Sequence, residues 1–153
     1  MLNLVLFEPK IPNNTGAIIR LCANMGANLH LIKPYGFEME DKKLRRAGLD
    51  YKELMCVSEY DNFDDYLEKA KPKRLFAVSS KVKTIYTDVK YQVDDSLLLG
   101  PETRGLPQDI LNQYKGITLP MQDGSRSLNL SNCASIVAYE AWRQIGFKGA
   151  KSA

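Results

Sequence analysis

Polar side chains are concentrated in one short stretch near the carboxyl end of the chain. Hydroxyl, amide and guanidinium groups fill most of positions 125–132: Ser125, Arg126, Ser127, Asn129, Ser131 and Asn132. Leu128 and Leu130 lie between them as apolar anchors, and Pro120 and Gly124 precede them as loop and turn residues. Such a loop is typical of a ligand-binding site, in which a few polar groups fix the orientation of the ligand.

A helix is predicted directly after this loop. Cys133, Val137, Ala141 and Ile145 recur at the four-residue spacing of one helix face, and Gly146 is a typical helix end. The spacing therefore predicts a helix that begins near residue 132 and ends at Gly146.

The polar residues before this helix divide into two pairs. Ser131 or Asn132 could cap the predicted helix, and ligand contact is the alternative role for both. Ser127 and Asn129 lie too far upstream of the predicted start for capping, which favours ligand contact for this pair.

Short apolar strands alternate with amphipathic helices in the rest of the chain. Strands are predicted at Leu2–Phe7, Leu29–Lys33, Leu54–Val57, Leu75–Val78, Leu97–Leu99 and Ile117–Leu119. Helices are predicted after an Asn or Thr cap near residues 13–15 up to Gly26, at Asp61–Lys69 and at Gln108–Gln113. This alternation predicts a single α/β domain over residues 1–153, with a mainly parallel sheet flanked by helices.

Three loops are expected to meet at one edge of this sheet. Ligands of open parallel sheets bind beyond the carboxyl ends of the strands. The loops that begin at Ser79, Gly100 and Pro120 each follow a predicted strand. The topology therefore predicts that these loops form a common site.

The composition is that of an ordinary globular protein. Of 153 residues, 44% are hydrophobic and 25% are charged, which excludes fibrous and disordered classes. Cys22, Cys56 and Cys133 are widely spaced, which disfavours a disulfide framework or a zinc site. The first residues lack a basic leader and form a run too short for a membrane span, so a cytoplasmic location is expected.

Positive charge is clustered before Gly48. The net charge of +3 is too small to indicate a nucleic-acid partner by itself. Four cations lie close together in a segment predicted as a short exposed helix: Lys42, Lys43, Arg45 and Arg46. A solvated helix face and an RNA phosphate contact are both compatible with this cluster.

The common nucleotide, metal and triad signatures are missing from the sequence. The Gly100–Gly105 segment has neither Gly-x-Gly-x-x-Gly nor a Walker lysine. His30 is the only histidine and lies in an apolar strand, so it is interpreted as structural and no metal is expected.

Three segments carry a family resemblance that spans nearly the whole chain. Residues Asn14–Arg20, Leu98–Pro107, and Ile117–Met121 together with Ser125–Asn132, resemble the three motifs of the SPOUT RNA 2′-O-methyltransferases. Phe7-Glu-Pro, Leu21–Asn24, Lys43–Tyr51 and Tyr139–Arg143 are similar to the members that methylate nucleotide 34 of tRNA.

The resemblance implies S-adenosylmethionine as the methyl donor, a tRNA anticodon loop as the substrate and a homodimer. It also implies a deep trefoil knot, in which the chain after Pro120 threads back before the last helix. Ala134, Ala138 and Ala141 fit close helix packing, either at a dimer interface or within the chain. Residues matching cofactor-binding positions are Val78, Gly100, Leu119, Met121, Ser127 and Leu128.

The resemblance also implies catalytic and RNA-binding residues. Asn14, Arg20, Glu102 and Asn129 match catalytic positions, and Lys42, Lys43, Arg45, Arg46 and Arg126 are the RNA-binding candidates. A guanidinium rarely loses its proton, so Arg20 is expected to grip an RNA phosphate and stabilise the developing alkoxide. Exposure on its helix without such a role is the alternative. Glu102 is expected to orient Arg20 or Arg104.

One departure and two alternative functions accompany the resemblance. Val82 stands where close relatives usually carry a glycine, which is expected to alter the loop at the cofactor rim. The alternatives are a noncatalytic RNA-binding or ribosome-assembly protein, and a 2′-O-methyltransferase that acts on ribosomal RNA.

Overall fold

A parallel sheet forms the centre of the computed structural model, which describes residues 1–39 and 50–152. Its strands are β1 (Asn3–Phe7), β2 (Asn28–Ile32), β3 (Val57–Tyr60), β4 (Leu75–Val78), β5 (Ser96–Leu99) and β6 (Lys115–Ile117). Within these ranges the six strands follow the order β3-β2-β1-β5-β4-β6, and every neighbouring pair is parallel. The predicted α/β class with a parallel sheet is therefore confirmed.

Helices cover both faces of this sheet. They are α1 (Pro12–Met25), α2 (Tyr51–Leu54), α3 (Phe63–Ala70), α4 (Gln108–Gln113) and α5 (Leu130–Gln144), with a 3₁₀ turn at Tyr86–Asp88. Apolar residues of α1 and α5 pack on one face, and those of α3 and α4 pack on the other. Among the described residues, no helix is both long and apolar enough to span a bilayer.

The strand β1 is buried on both of its faces. Leu4 and Leu6 belong to the core under α1 and α5, whereas Val5 and Phe7 belong to the core under α3 and α4. Because successive side chains of a strand point to opposite faces, a run of apolar residues is needed to fill both cores. The need to fill two cores therefore accounts for the continuous apolar run at Leu4–Phe7.

The small residues of α5 pack within the chain. Ala134, Ala138 and Ala141 are at most 1% exposed and lie in the same core as Ile18 and Cys22 of α1. Their small side chains allow α5 to approach α1 closely. The intrachain reading of this alanine row is therefore the correct one.

Two strand predictions were wrong in position. Residues 51–54 form the short helix α2, and β3 begins at Val57 instead of ending there. Asp50 and Glu53 form a reciprocal capping box that starts this helix. The last strand was predicted at Ile117–Leu119 but lies at Lys115–Ile117, where Gly116 pairs with Ala77 of β4. The predicted basic helix at 41–47 lies outside the described residues.

The first helix begins without a side-chain cap, so the predicted Asn or Thr cap was wrong. Ile11 occupies the capping position and Pro12 begins the helix, which places Asn13, Asn14 and Thr15 inside its first turn. Proline suits this position because its fixed φ is compatible with a helix and its missing N–H has no partner there. Gly26 ends α1, as predicted, and adopts the left-handed conformation.

Val82 packs against Gly116 of β6. A Cβ added at Gly116 would lie 2.5 Å from Cγ1 of Val82 and 3.0 Å from its Cβ. The loop after β4 therefore lies directly on the last strand, and a side chain at position 116 would displace it.

We predict that Gly116→Ala lowers the free energy of unfolding by about 1–3 kcal/mol, because it overpacks this contact. Urea denaturation of Gly116→Ala, Val82→Gly and the double variant measures the coupling between the two positions. Gly116→Ala should cost less in the Val82→Gly background. An equal cost in both backgrounds would contradict the proposed clash.

Candidate functional site

A cavity of about 640 Å³ lies at the carboxyl edge of the sheet. Register pairs Val78 with both Leu99 and Ile117, so β4, β5 and β6 end side by side. The loops after these three strands supply most of the cavity wall. The predicted convergence of the three loops is therefore confirmed.

The residues that match cofactor-binding positions are brought together in this cavity. Its lining includes all six of them: Val78, Gly100, Leu119, Met121, Ser127 and Leu128. Leu119 is 8% exposed, whereas Met121 and Leu128 are 40% and 43% exposed. The wall thus has a fixed apolar base at Leu119 and an accessible apolar rim.

Gly100 allows the loop after β5 to fold back on itself. A Cβ at Gly100 would lie 2.5 Å from the carbonyl carbon of Gly105 and 2.5 Å from the amide nitrogen of Leu106. Gly105 has a φ of 72°, which places it in the left-handed region that favours glycine. The two glycines therefore shape residues 100–106 into a compact turn that walls the cavity.

Glu102 connects this turn to the start of α1. Its carboxylate accepts hydrogen bonds from the backbone amides of Lys10 and Ile11, both at 2.9 Å. The side-chain amide of Asn14 donates a third bond at 3.2 Å. The carboxylate therefore fixes the turn against the segment that leads into α1.

Asn14 extends this network to the last helix. Its Oδ1 accepts a hydrogen bond from Nδ2 of Asn129 at 3.1 Å, and Asn14 is only 7% exposed. The Oδ1 of Asn129 in turn accepts bonds from the amides of Ser131 and Asn132, at 2.9 and 3.3 Å. The network joins the loop after β5, α1 and α5.

Asn129 is the N-cap of α5, so the prediction that it lies too far upstream for capping was wrong. The helix begins at Leu130, two residues before the predicted start. Ser131 and Asn132 consequently lie inside the first turn and do not cap it. Their backbone amides are the donors that Asn129 satisfies.

Arg20 lies outside the cavity wall formed by the described residues. Its Nε donates to Oε2 of Glu53 at 3.0 Å, with the two side chains 45% and 20% exposed. Glu102 does not orient it, because the carboxylate of Glu102 is bonded to the residues before and within α1. The expected pairing of Glu102 with Arg20 was wrong.

Arg104 has a different acidic partner from the one expected. Its guanidinium donates to Oε1 of Glu8 at 2.9 Å, and both residues lie at the carboxyl edge of the sheet. Arg126 lines the cavity, whereas Lys42, Lys43, Arg45 and Arg46 lie outside the described residues.

Cys133 and Ile11 line the cavity and were missed as site residues. Burial raises the pKa of the Cys133 thiol to about 11, so the thiol is neutral near pH 7. Cys133 lies one turn into α5, and its apolar spacing indicated only a core position. Ile11 precedes α1 and is 42% exposed, and nothing in its local sequence distinguished it.

His30 belongs to a separate polar network within the sheet. Its ring nitrogens lie 2.8 Å from the Tyr60 hydroxyl and 3.0 Å from Oδ1 of Asn3. Burial lowers the pKa of His30, which favours the neutral ring. These contacts agree with a structural role. Among the described residues, no cluster of three or more acidic, histidine or cysteine side chains could hold a metal ion.

Several known proteins are similar to this chain in sequence or in fold. The chain is 54% identical over 153 residues to the tRNA (cytidine(34)-2′-O)-methyltransferase of Escherichia coli K12, covering 98% of each chain. A structure solved for insights into 2-OH methylation of C/U34 on tRNA is 41% identical, with a TM-score of 0.90 and coverage of 95% and 96%. The SpoU methyltransferase AviRb of Streptomyces viridochromogenes, in complex with AdoMet, shares the fold at 24% identity and a TM-score of 0.82, covering 95% of this chain and 60% of AviRb.

Family membership follows from the extent of these matches. The model of the SpoU rRNA methylase family matches residues 1–139, which is most of the chain. The motifs at Asn14–Arg20 and Leu98–Pro107 lie wholly within that match, as does the cavity lining. The chain therefore belongs to the SpoU rRNA methylase family.

Proposed function

We propose that this chain transfers a methyl group from S-adenosylmethionine to the ribose 2′-oxygen of nucleotide 34 of tRNA, a cytidine or a modified uridine. The observation that carries the proposal is 54% identity, over 98% of both chains, to an enzyme named for cytidine 34 of tRNA. A single methyltransferase domain over residues 1–153 would perform the reaction, in the cytoplasm, where tRNA is used.

The cavity fits a donor with an adenine ring and a charged, polar tail. Its volume of about 640 Å³ falls in the usual range for small-molecule sites. Val78, Leu119 and Leu128 offer apolar surface for the ring, and Ser127 offers a hydroxyl beside them. Gly100 keeps the turn compact, and Met121 lies at the rim. When bound, S-adenosylmethionine supplies an electrophilic methyl group on its sulfonium.

Acceptor chemistry requires a positive charge close to the ribose oxygen. A 2′-hydroxyl is weakly acidic, so catalysis depends on orienting the oxygen and stabilising the charge that develops on it. We assign this role to Arg20, which holds the adjacent RNA phosphate and stabilises the alkoxide. The hydroxyl proton leaves to that phosphate or to a water.

The polar residues of the motifs hold the site together around these reactants. Glu102, Asn14 and Asn129 form the chain of hydrogen bonds between the cavity turn, α1 and α5. Their contribution to transfer is to keep the donor cavity and the first helix in register.

The tRNA is expected to bind through its phosphates. Lys42, Lys43, Arg45 and Arg46 are proposed to grip the anticodon stem-loop, and Arg126 is proposed to contact RNA at the cavity. An unpaired wobble nucleotide leaves its 2′-hydroxyl accessible, as recognition of RNA loops generally requires. Because the phosphate contacts release counterions, affinity would fall steeply with rising salt.

A deep trefoil knot after Pro120 is part of this proposal. Its support is the path of the chain around Thr118, whose amide donates to Thr84 and whose carbonyl accepts from Tyr86. The following helix α5 then returns from the edge strand β6 to contact β5 and α1. A knot requires that the chain pass through a loop and then return, and the contacts of Thr118 and of α5 are compatible with such a path.

We also propose that the protein acts as a homodimer. Support comes from a group of large apolar side chains that are 38–45% exposed around the cavity and α5: Ile11, Met121, Leu128, Ile136 and Tyr139. Exposed apolar groups of this size commonly mark interaction surfaces. Light scattering of the purified protein should give twice the 17.3 kDa mass of one chain. A mass of 17.3 kDa at working concentrations would contradict the dimer.

We predict that the purified protein transfers labelled methyl from S-adenosylmethionine to total tRNA, with the label at the 2′-oxygen of nucleotide 34. Nuclease digestion and mass spectrometry locate the modified nucleotide. An inactive control is the donor and tRNA without protein. Ribosomal RNA is offered in a parallel reaction: label there instead of in tRNA would favour the ribosomal alternative, and absence of label from both RNAs would favour a noncatalytic RNA-binding protein.

We predict that Arg20→Ala lowers the transfer rate by about 100-fold or more, as expected when a charge-stabilising donor is lost. Binding of S-adenosylmethionine, measured by calorimetry, should stay close to that of the unmodified chain, since Arg20 is not part of the cavity wall. Lys69→Ala is the matched control, because it removes a surface cation paired with Asp65 on α3. Loss of donor binding in Arg20→Ala would contradict the assigned role.

A further inference from the structure

The side chain of Arg20 is held by a residue from a different helix. Oε2 of Glu53 in α2 accepts a hydrogen bond from Nε of Arg20 at 3.0 Å. The two residues are 33 positions apart in sequence, so this contact depends on the packing of α2 against α1. Glu53 is 20% exposed, which makes it the more buried partner.

Glu53 is itself fixed by the start of α2. Its Oε1 accepts a hydrogen bond from the backbone amide of Asp50 at 3.2 Å. Oδ1 of Asp50 accepts one from the amide of Glu53 at 2.8 Å, which completes the capping box. Each oxygen of the Glu53 carboxylate therefore has a defined partner, and rotation of the carboxylate would break both contacts.

The backbone of Glu53 is also linked to the core. Sγ of Cys56 lies 3.2 Å from the carbonyl oxygen of Glu53 and 3.9 Å from the carbonyl oxygen of Ile19. Ile19 is fully buried and precedes Arg20 in α1. Cys56 thus connects the backbone at Glu53 with the backbone next to Arg20.

We propose that Glu53 is a positioning residue that orients the Arg20 guanidinium toward the RNA phosphate. This inference rests on the proposed function. A bond at Nε restricts the orientation of the guanidinium, because Nε is the atom that joins the planar group to its flexible stem. Arg20 is then already oriented when the RNA binds, which reduces the entropy cost of positioning the guanidinium for the reaction.

Stability alone does not account for this arrangement. An ion pair with a 45% exposed arginine contributes little to the free energy of folding, because solvent screens the charges. The capping function of Glu53 needs only an acceptor, and glutamine at the same position supplies one. The negative charge directed at Arg20 therefore has a separate role from the cap.

Glu53→Gln tests this role, because the variant retains a capping acceptor and removes the charge. We expect kcat for tRNA methylation to fall roughly 10- to 100-fold, as misorientation of a reacting group can cost this much. KM for tRNA and the thermal unfolding midpoint should remain close to those of the unmodified chain. The matched control is Glu68→Gln, which makes the same charge change on the exposed side of α3 and should leave kcat unchanged.

A second comparison shows whether Glu53 acts through Arg20. In an Arg20→Lys background, Glu53→Gln should cause a much smaller loss of kcat, because lysine lacks the Nε–H that the carboxylate orients. An unchanged kcat in Glu53→Gln, or an equal loss in both backgrounds, would overturn the inference while leaving the proposed function intact. Failure of the unmodified chain to methylate tRNA would overturn both.

Discussion

The hydrogen bonds to the Glu102 carboxylate join the turn after β5 to the start of α1. α1 begins without a side-chain cap of its own, and the amides of Lys10 and Ile11 just before it are bound by Glu102. Hydrogen bonds to an ionised carboxylate are stronger than neutral ones. The sheet fixes where β5 ends, but it does not fix how the next turn meets α1. Glu102 supplies that constraint, so the cavity wall and the first helix cannot separate without exposing backbone donors.

The same network links residues from three distant segments of the chain. Asn14 donates to Glu102 and accepts from Asn129, which in turn caps α5. A change at any of these positions would leave its partners without a hydrogen bond in a partly buried setting, where unpaired polar groups are costly. Polar residues at a cavity can therefore contribute by joining secondary-structure elements.

The sequence predicted the features that depend on local pattern, and it failed where contacts cross the chain. Apolar runs identified the buried strands, and parallel topology placed the Gly100 loop at the site. α2 was missed because four residues are too few for a helical period, although the Asp50 and Glu53 capping box was present. The Asn129 cap was missed because Leu130, which begins α5, resembled an anchor of the polar loop. The partner of Arg20 could not be predicted, since a 33-residue separation carries no local signal.

Under the proposed function, donor binding and acceptor positioning belong to different parts of the fold. The cavity is formed mainly by the loops at the carboxyl ends of β4, β5 and β6. Arg20 lies six residues beyond Asn14 along α1, a rise of about 9 Å in an α-helix. Its Nε donates to Glu53 of α2, and no residue of α2 belongs to the described cavity wall. If Arg20 positions the acceptor as proposed, changes around α1 and α2 would alter how RNA is presented without changing the cavity proposed for the donor.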